Sequence, residues 1–233
     1  MVKILAIVPA RGGSKRLPRK NVLPLAGKPL INWTIEFANA QDIFSRVVVS
    51  SDDDEILDVA CACGAESSGR RPAHLSGDHA SSIDVLVHEL NQLETKGECY
   101  DFVALLQPTT PFRNTDRWRQ ALNILANRPE VPSVIGVQIT DTSPFHAFEM
   151  SKNNDLSALF PEKLSTRSQD LSTTVTVNGS LYLVRADVLK NEEKIFFPTS
   201  AAVVCDTVLE RIDIDTNSDF LKAEAIFSQH SVR

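Results

Sequence analysis

Short hydrophobic runs alternate along the chain with stretches in which hydrophobic positions recur at helical spacing. The runs predict strands at residues 3–8, 46–50, 102–106, 133–139, 179–184 and 201–205. Helical spacing predicts helices across residues 30–38, 52–61, 83–90, 118–126 and 220–227. Repeated alternation of this kind is typical of an α/β domain, because a helix returns the chain between parallel strands. We therefore expect a mostly parallel sheet with helices on both faces.

The alternation stops after Thr140 and resumes near Gly179. The segment between them is rich in Ser, Asn, Asp, Thr and Phe and shows no clear period. A structureless loop of about 35 residues is unusual inside a compact domain. We interpret residues 141–175 as an inserted arm that packs on a second subunit, so the chain is predicted to be one domain, 1–233, in a homodimer.

Composition narrows the classes of protein to which the chain can belong. Of 233 residues, 42% are hydrophobic, which excludes a disordered chain. The formal net charge of -6 disfavours a partner such as nucleic acid or an anionic membrane. No apolar run approaches the roughly 20 residues that span a bilayer, and we expect neither a membrane segment nor a secretory signal. The four cysteines lack the spacing of a disulfide framework or a zinc site, which predicts reduced thiols in a cytoplasmic protein.

A basic loop follows the first predicted strand directly. Residues 9–21 contain five Arg or Lys among thirteen positions, in an otherwise acidic chain. Gly12 and Gly13 allow backbone N–H groups to approach an anion, and ligands of open α/β sheets bind at the carboxyl ends of strands. The loop predicts a phosphate-rich substrate, although neither the Walker motif nor the GxGxxG motif is present. A solvated basic loop is the alternative interpretation.

Two carboxylates alternate with isoleucines near the end of the chain, in residues 212–216. If this segment is a strand, Ile212 and Ile214 enter the core while Asp213 and Asp215 project together on the other face. Neighbouring carboxylates repel each other, and oxygen ligands suit Mg²⁺ shared with substrate phosphates. A strand with one wet face is the alternative, but the basic loop favours the metal site.

Two further polar stretches, residues 70–82 and 105–113, lie between these signals. Gln107 follows a buried strand and can donate and accept hydrogen bonds, as a reader of a base or a sugar must. Helix caps and turns explain either stretch equally well. We interpret His74 and His79 as surface or capping residues, because no third ligand for a metal lies nearby.

Several motifs in register carry a resemblance to a known family. They are Ala10-Arg11-Gly12-Gly13-Ser14-Lys15, Lys20-Asn21, Ser50-Ser51-Asp52, Arg71-Pro72, Leu106-Gln107-Pro108-Thr109, Asn178-Gly179 and Ile212-Asp213-Ile214-Asp215-Thr216. In order and approximate spacing the chain resembles the acylneuraminate cytidylyltransferases, or CMP-sialic acid synthetases, which include the enzymes for legionaminic and pseudaminic acid. The resemblance extends from residue 3 to about residue 229.

The resemblance implies a nucleotide-diphospho-sugar transferase-like α/β domain. It also implies that CMP passes from CTP to the anomeric hydroxyl of a nine-carbon 2-keto acid sugar, that pyrophosphate is released and that Mg²⁺ is required. The implied catalytic residues are Arg11, Lys20, Asp213 and Asp215, of which the two aspartates hold the metal. The implied nucleotide-binding residues are Arg11, Gly12, Gly13, Ser14, Lys20, Asn21, Arg71, Ser81 and Ser82. The implied sugar-binding residues are Gln107, Thr109, Arg167, Gln169 and Asn178, with Arg167 and Gln169 reaching the cleft of a second subunit.

Two departures from the family pattern bear on the sugar. Thr176 and His146 stand where family members often carry an Arg and a Lys that are associated with the acidic sugar. We therefore expect a diacetamido nonulosonate, such as legionaminic or pseudaminic acid, in place of N-acetylneuraminate.

Three alternatives to this function differ in what they require of the sequence. CMP-Kdo synthetases, which use an eight-carbon acid, typically lack the pair seen here at Lys20-Asn21. A non-catalytic nucleotide-binding protein is expected to have lost Arg11 or one of the metal carboxylates, but Arg11, Asp213 and Asp215 are all present. A dinucleotide-dependent oxidoreductase is disfavoured by the missing GxGxxG motif.

Overall fold

The computed structural model describes residues 2–77 and 80–230, and within them the strands and helices alternate as follows. The strands are β1 (Ile4–Pro9), β2 (Pro24–Leu25), β3 (Lys28–Pro29), β4 (Arg46–Ser50), β5 (Glu66–Ser67), β6 (Phe102–Leu105), β7 (Ser133–Ile139), β8 (Phe148–Met150), β9 (Leu156–Ala158), β10 (Val175–Arg185) and β11 (Ala201–Val204). The helices are α1 (Leu30–Asn39), α2 (Asp54–Ala62), α3 (Ser82–Glu94), α4 (Thr115–Asn127), α5 (Ala186–Glu192) and α6 (Asn217–His230).

Seven of these strands form one sheet in the order β11-β7-β10-β6-β1-β4-β5. Neighbouring strands pair in parallel except around β10, which runs antiparallel to both β6 and β7. The expected mostly parallel sheet is confirmed, but β10 begins at Val175, earlier than the hydrophobic run indicates. The pairing register shifts between Val177 and Tyr182, and Gly179 in this bulge has a positive φ of 80°.

Helices cover both faces of the sheet, as the alternation predicts. On one face, α1, α2 and α4 enclose a core that includes Ile35, Ile56 and the fully buried Trp118. On the other face, α3 and α5 pack on a second core that includes Leu86 and Leu189. The short helix α5 is absent from the sequence prediction. Burial of apolar side chains on both faces explains why the inner strands are almost continuously hydrophobic.

The segment that carries the two aspartates is not a strand, and this corrects the sequence prediction. The alternation itself persists, since Ile212 and Ile214 are 9% and 0% exposed. The Ile214 N–H, however, donates to the carbonyl of Thr109 at 2.8 Å, which belongs to a turn and not to a neighbouring strand. Both isoleucines pack with Phe220 of α6, so the segment is an extended strap held by a local cluster.

The inserted segment has structure of its own. A hydrogen bond from Thr140 N–H to the Thr174 carbonyl, at 3.0 Å, closes its base. Beyond this base, β8 and β9 form an antiparallel hairpin, and the rings of Phe145 and Phe160 meet edge to face. Its packing on a second subunit stays a prediction.

The four cysteines are free thiols. No helix in the described part of the chain has the length and hydropathy that crossing a bilayer requires.

Candidate active site

A cleft of about 450 Å³ opens beyond the carboxyl ends of β1 and β6. It brings together most of the residues that the sequence singles out. They are Arg11, Ser14, Lys20, Asn21, Arg71, Ser81, Ser82, Gln107, Thr109 and Asp215, joined by Lys15 and Arg16. Residues more than 200 positions apart in the sequence therefore share one cleft, at the edge of the sheet where ligands of α/β folds bind.

The basic loop is fixed against the acidic turn that follows β4. The Gly12 N–H donates to Asp52 Oδ1 at 3.0 Å, and a Cβ at Gly12 would lie 2.7 Å from Asp53 Oδ2. Arg19 pairs with Asp53 at 2.5 Å, and Asn21 donates to the Arg11 carbonyl at 3.0 Å. A glycine is therefore required at position 12 because Asp53 packs closely against its backbone. Its N–H is used by Asp52, which corrects the expectation that this group approaches a phosphate. Gly13 is exposed, and a Cβ there would meet nothing within 4 Å.

Lys20 connects the basic loop to the strap. Its Nζ donates to the Ile214 carbonyl at 2.9 Å and to Asp215 Oδ1 at 3.0 Å, and Arg16 pairs with Asp215 Oδ2 at 2.7 Å. Burial alone would raise the pKa of Asp215, but the hydrogen bond from Lys20 and the charges of Lys20 and Arg16 lower it. Asp215 is therefore ionised and already oriented at the cleft wall.

Asp213 stands beside this pair without lining the cleft itself. Its side chain reaches solvent, but protein atoms crowd around the carboxyl group, and this burial raises its pKa. The charge of Asp215 adds to the rise, while a hydrogen bond from Thr109 opposes it. Two carboxylates that repel each other at the rim of a cationic cleft are the oxygen donors that a divalent cation accepts.

No group of three or more His, Cys, Asp or Glu side chains within residues 2–77 and 80–230 is arranged to hold a metal. Of the two histidines discussed above, His74 is exposed, as expected, and His79 lies outside the described residues.

The far wall of the cleft is built from Arg71 and the start of α3. Arg71 is 6% exposed, and burial lowers the pKa of its guanidinium although Asp52 lies 3.6 Å away. Ser81 caps α3, since its hydroxyl accepts from the Asp84 N–H while the Asp84 carboxylate accepts from the Ser81 N–H. The alternative interpretation of residues 70–82 as capping residues therefore holds at Ser81, and both Ser81 and Ser82 also line the cleft.

Three predicted sugar-binding residues lie away from the cleft. Asn178 is buried; its amide donates to the Cys205 and Glu210 carbonyls and its oxygen accepts twice from Ser180. This amide has no hydrogen-bonding capacity left for a substrate, so Asn178 is a structural residue of the β10 bulge. Arg167 and Gln169 are exposed on the inserted segment and do not line the cleft of their own chain.

Sequence reasoning missed residues that hold the cleft-lining segments in position without binding a substrate themselves. Asp52 and Asp53 were expected to open a helix, which Asp53 does as the N-cap of α2, but both also hold the basic loop. The excess of acidic residues directly after a strand was the available signal. Arg113, which binds the turn that carries Gln107, offered no such signal.

The profile of the cytidylyltransferase family matches residues 5–229. The chain belongs to this family. It is therefore a nucleotidyltransferase, with the expected α/β architecture.

Several curated relatives align over nearly the whole chain. Pseudaminic acid cytidylyltransferase of Campylobacter jejuni is 36% identical over 97% of each chain. CMP-N,N'-diacetyllegionaminic acid synthase of Legionella pneumophila is 32% identical over 97% of this chain and 96% of its own. N-acylneuraminate cytidylyltransferase of Escherichia coli is 30% identical over 94% of this chain and 50% of its own length.

A solved structure shares the fold. CMP:2-keto-3-deoxy-manno-octonic acid synthetase complexed with CTP superposes with a TM-score of 0.74, covering 98% of this chain and 99% of its own, at 21% identity. At that identity the likeness concerns the fold.

Proposed function

We propose that this cytidylyltransferase transfers CMP from CTP to the anomeric hydroxyl of a nine-carbon 2-keto acid sugar bearing two acylamino groups, and releases pyrophosphate. The observation that carries the proposal is the cleft itself, in which four cations of one loop face the Gln107 turn and Asp215. Relatives named for pseudaminic and legionaminic acid, together with Thr176 and His146 in the places described above, support a diacetamido sugar.

The cleft divides by chemistry into three parts. Arg11, Lys15, Arg16 and Lys20 line the part that suits a triphosphate. Asn21, Arg71 and the start of α3 offer hydrogen-bonding groups for the cytidine, while Gln107 and Thr109 offer them for the sugar. The α-phosphate would thus lie between the basic loop and the turn.

We propose Asp213 and Asp215 as the protein ligands of a magnesium ion. When bound, such an ion neutralises phosphate charge and favours departure of pyrophosphate. The donor type and the mutual repulsion of the two carboxylates support the assignment, and substrate phosphates complete such sites. Lys20 and Arg16 pair with Asp215 in the structure, and they would contact the phosphates that accompany the metal.

The reaction needs alignment and charge neutralisation more than covalent chemistry. The anomeric oxygen attacks the α-phosphorus, the bond to the β-phosphate oxygen breaks, and the hydroxyl proton is lost to solvent or a nearby base. Arg11 and Lys20 stabilise the charge that develops on the phosphate oxygens. Gln107 holds the sugar so that its anomeric oxygen faces the α-phosphate.

We also propose that the inserted segment joins two copies of the chain. Ile139, Val175, Val177 and Val204 expose between 42% and 47% of their surface, and strand register places them on one face of the sheet. The segment adds exposed Phe148, Met150, Leu156 and Leu159. Monomers avoid so large an exposed apolar surface, and a twofold-related copy would cover it. Arg167 and Gln169 would then reach the cleft of the other copy.

A cytoplasmic location is part of the proposal, supported by the four free thiols.

The test is pyrophosphate release with CTP and a panel of acids: pseudaminic, legionaminic, N-acetylneuraminic and Kdo. We expect the highest kcat/KM with a diacetamido nine-carbon acid, and a large loss with UTP because buried groups that pair with cytosine are left unpaired. Equal rates with CTP and UTP would contradict the nucleotide assignment. Preference for Kdo would contradict the sugar assignment while leaving the cytidylyl chemistry in place.

A further inference from the structure

Arg113 is a mostly buried cation with neutral hydrogen-bond partners. Its Nη1 donates to Thr34 Oγ1 at 2.9 Å, and its Nη2 donates to the Gln107 carbonyl at 2.6 Å and to Thr110 Oγ1 at 3.2 Å. Among the salt bridges of residues 2–77 and 80–230, none pairs Arg113 with a carboxylate. Burial lowers the pKa of its guanidinium to about 9, which shows how little the surroundings favour its charge.

The groups that Arg113 binds belong to the turn that enters the cleft. Within this turn, the Thr110 N–H donates to the Gln107 carbonyl at 3.2 Å, and Thr110 Oγ1 donates to the Gly179 carbonyl at 3.0 Å. The turn places the side chains of Gln107 and Thr109 on the cleft wall. Arg113 therefore anchors the turn to α1 through Thr34, which is 0% exposed.

The same turn also holds the strap. The Thr109 carbonyl accepts from the Ile214 N–H at 2.8 Å, midway between Asp213 and Asp215. A displacement of the turn would thus move the proposed sugar contact and the two carboxylates together. Displacement of catalytic groups by about 1 Å costs on the order of 100-fold in rate.

We propose that Arg113 is a positioning residue that fixes the Gln107–Thr110 turn, and through it holds the sugar-binding side chains and the Asp213–Asp215 strap together in place opposite the basic loop. This inference rests on the proposed function. The guanidinium is suited to the task because its rigid planar fork reaches three acceptors on two elements. A lysine carries the same charge on one flexible point, so it can satisfy only part of this arrangement.

The experiment compares Arg113→Met and Arg113→Lys with a matched control, Arg185→Met. Arg185 also binds carbonyls, those of Val131 at 2.9 Å and Leu125 at 2.7 Å, but it does not line the cleft. We expect Arg113→Met to lower kcat by about 10- to 100-fold and to raise the KM for the sugar, with Arg113→Lys in between. The Kd for CTP, measured by calorimetry without sugar, should change by less than about threefold, because Arg113 binds Thr34 and the Gln107–Thr110 turn, which is assigned to the sugar.

The control separates positioning from general stability. Arg185→Met should lower the melting temperature and leave kcat and both KM values near those of the wild type. Unchanged kcat in folded Arg113→Met would overturn the inference, as would an equal loss of CTP affinity and kcat. Should Arg113→Met fail to fold, Thr34→Val removes one acceptor at similar volume; a normal kcat and sugar KM in that variant would then overturn the inference. Absence of cytidylyl transfer by the wild type is a different result, which defeats the proposed function instead.

Discussion

Lys20 and Asp215, which are 195 positions apart in the sequence, are hydrogen-bonded at 3.0 Å. The same Lys20 ammonium holds the Ile214 carbonyl at 2.9 Å, so it fixes the strap backbone as well as the carboxylate. The basic loop and the acidic strap are therefore assembled before any nucleotide arrives. Part of the cost of orienting them for phosphoryl transfer is met by folding.

Replacing Asp215 by Ala should lower kcat by at least about 100-fold, equivalent to roughly 3 kcal/mol of transition-state stabilisation. The fold should persist, because the carboxylate lies on the cleft wall and outside the core. Steady-state kinetics with CTP and varied magnesium concentration measure the effect. Asp42→Ala, at an exposed aspartate paired with Arg119, is the control and should be near neutral. Near-normal turnover of the wild type in EDTA would show that the metal assignment is wrong.

Charged substitutions in the exposed sheet face should separate the two copies. Val177 and Val204 both lie beside Val137 in the register, and both are more than 40% exposed. The double variant Val177→Glu/Val204→Glu should be a monomer that binds CTP but loses saturable binding of the sugar. Arg167 of the inserted segment would no longer reach the cleft of a second copy. Sedimentation velocity at micromolar concentration and sugar titrations measure both effects.

Leu221→Glu provides the matched control for the interface. Leu221 is 56% exposed on α6, which packs on β2 and on the strap, and its substitution should change neither mass nor kinetics. A wild-type protein that sediments as a monomer and is fully active would rule out the shared-site proposal.

The residues that line the cleft could be predicted from the sequence better than the buried residues that hold them in place. Arg11, Lys20 and Gln107 were found because charged or bifunctional side chains in the loop after a buried run are visible in a linear pattern. Asp215 was found because it alternates with isoleucines. The internal role of Asn178 was not visible, because its amide group donates to the Cys205 and Glu210 carbonyls, which only folding brings close to it. The strap was mistaken for a strand for a related reason: alternating burial is common to a strand and to an extended segment fixed by long-range bonds.

Replacing Gly179 by Ala should affect both stability and sugar binding. Gly179 has a φ of 80°, and a Cβ there would lie 3.0 Å from Thr110 Cγ2 and 3.2 Å from Gln107 Oε1. We expect a loss of about 1–2 kcal/mol in the free energy of unfolding from backbone strain. Displacement of the Gln107 amide should in addition raise the KM for the sugar.

Gly27→Ala isolates the backbone contribution in that experiment. Gly27 has a φ of 86°, but a Cβ there would meet nothing within 4 Å. Its substitution should cost similar stability, measured by urea unfolding, and leave the sugar KM unchanged. An equal rise of KM in both variants would show that the Gln107 contact is not responsible.

Replacing Tyr182 by Phe should reduce the sensitivity of the fold to alkaline pH. Tyr182 is 8% exposed, and burial together with the charge of Asp213 raises the pKa of its hydroxyl to about 12. In the unfolded chain this tyrosine hydroxyl ionises near pH 10. Its neutral form therefore stabilises the fold fully below pH 10, and this stabilisation is lost as the pH rises toward 12. The wild type should lose about 2–3 kcal/mol from this group across that window, since one pKa unit corresponds to about 1.4 kcal/mol.

Urea unfolding of wild type and Tyr182→Phe at a series of pH values from 8 to 12 measures the difference, and groups common to both proteins cancel. The two free energies of unfolding should differ by a constant amount below about pH 10. Above that pH, the free energy of unfolding of the wild type should fall relative to that of the variant. Tyr100 is the control, because burial and its hydrogen bond to Glu98 also raise its pKa to about 12. Tyr100→Phe should leave the Tyr182 contribution in place, so that only the double variant loses both. Parallel pH curves for wild type and Tyr182→Phe would show that the Tyr182 hydroxyl ionises as readily in the folded protein as in the unfolded chain.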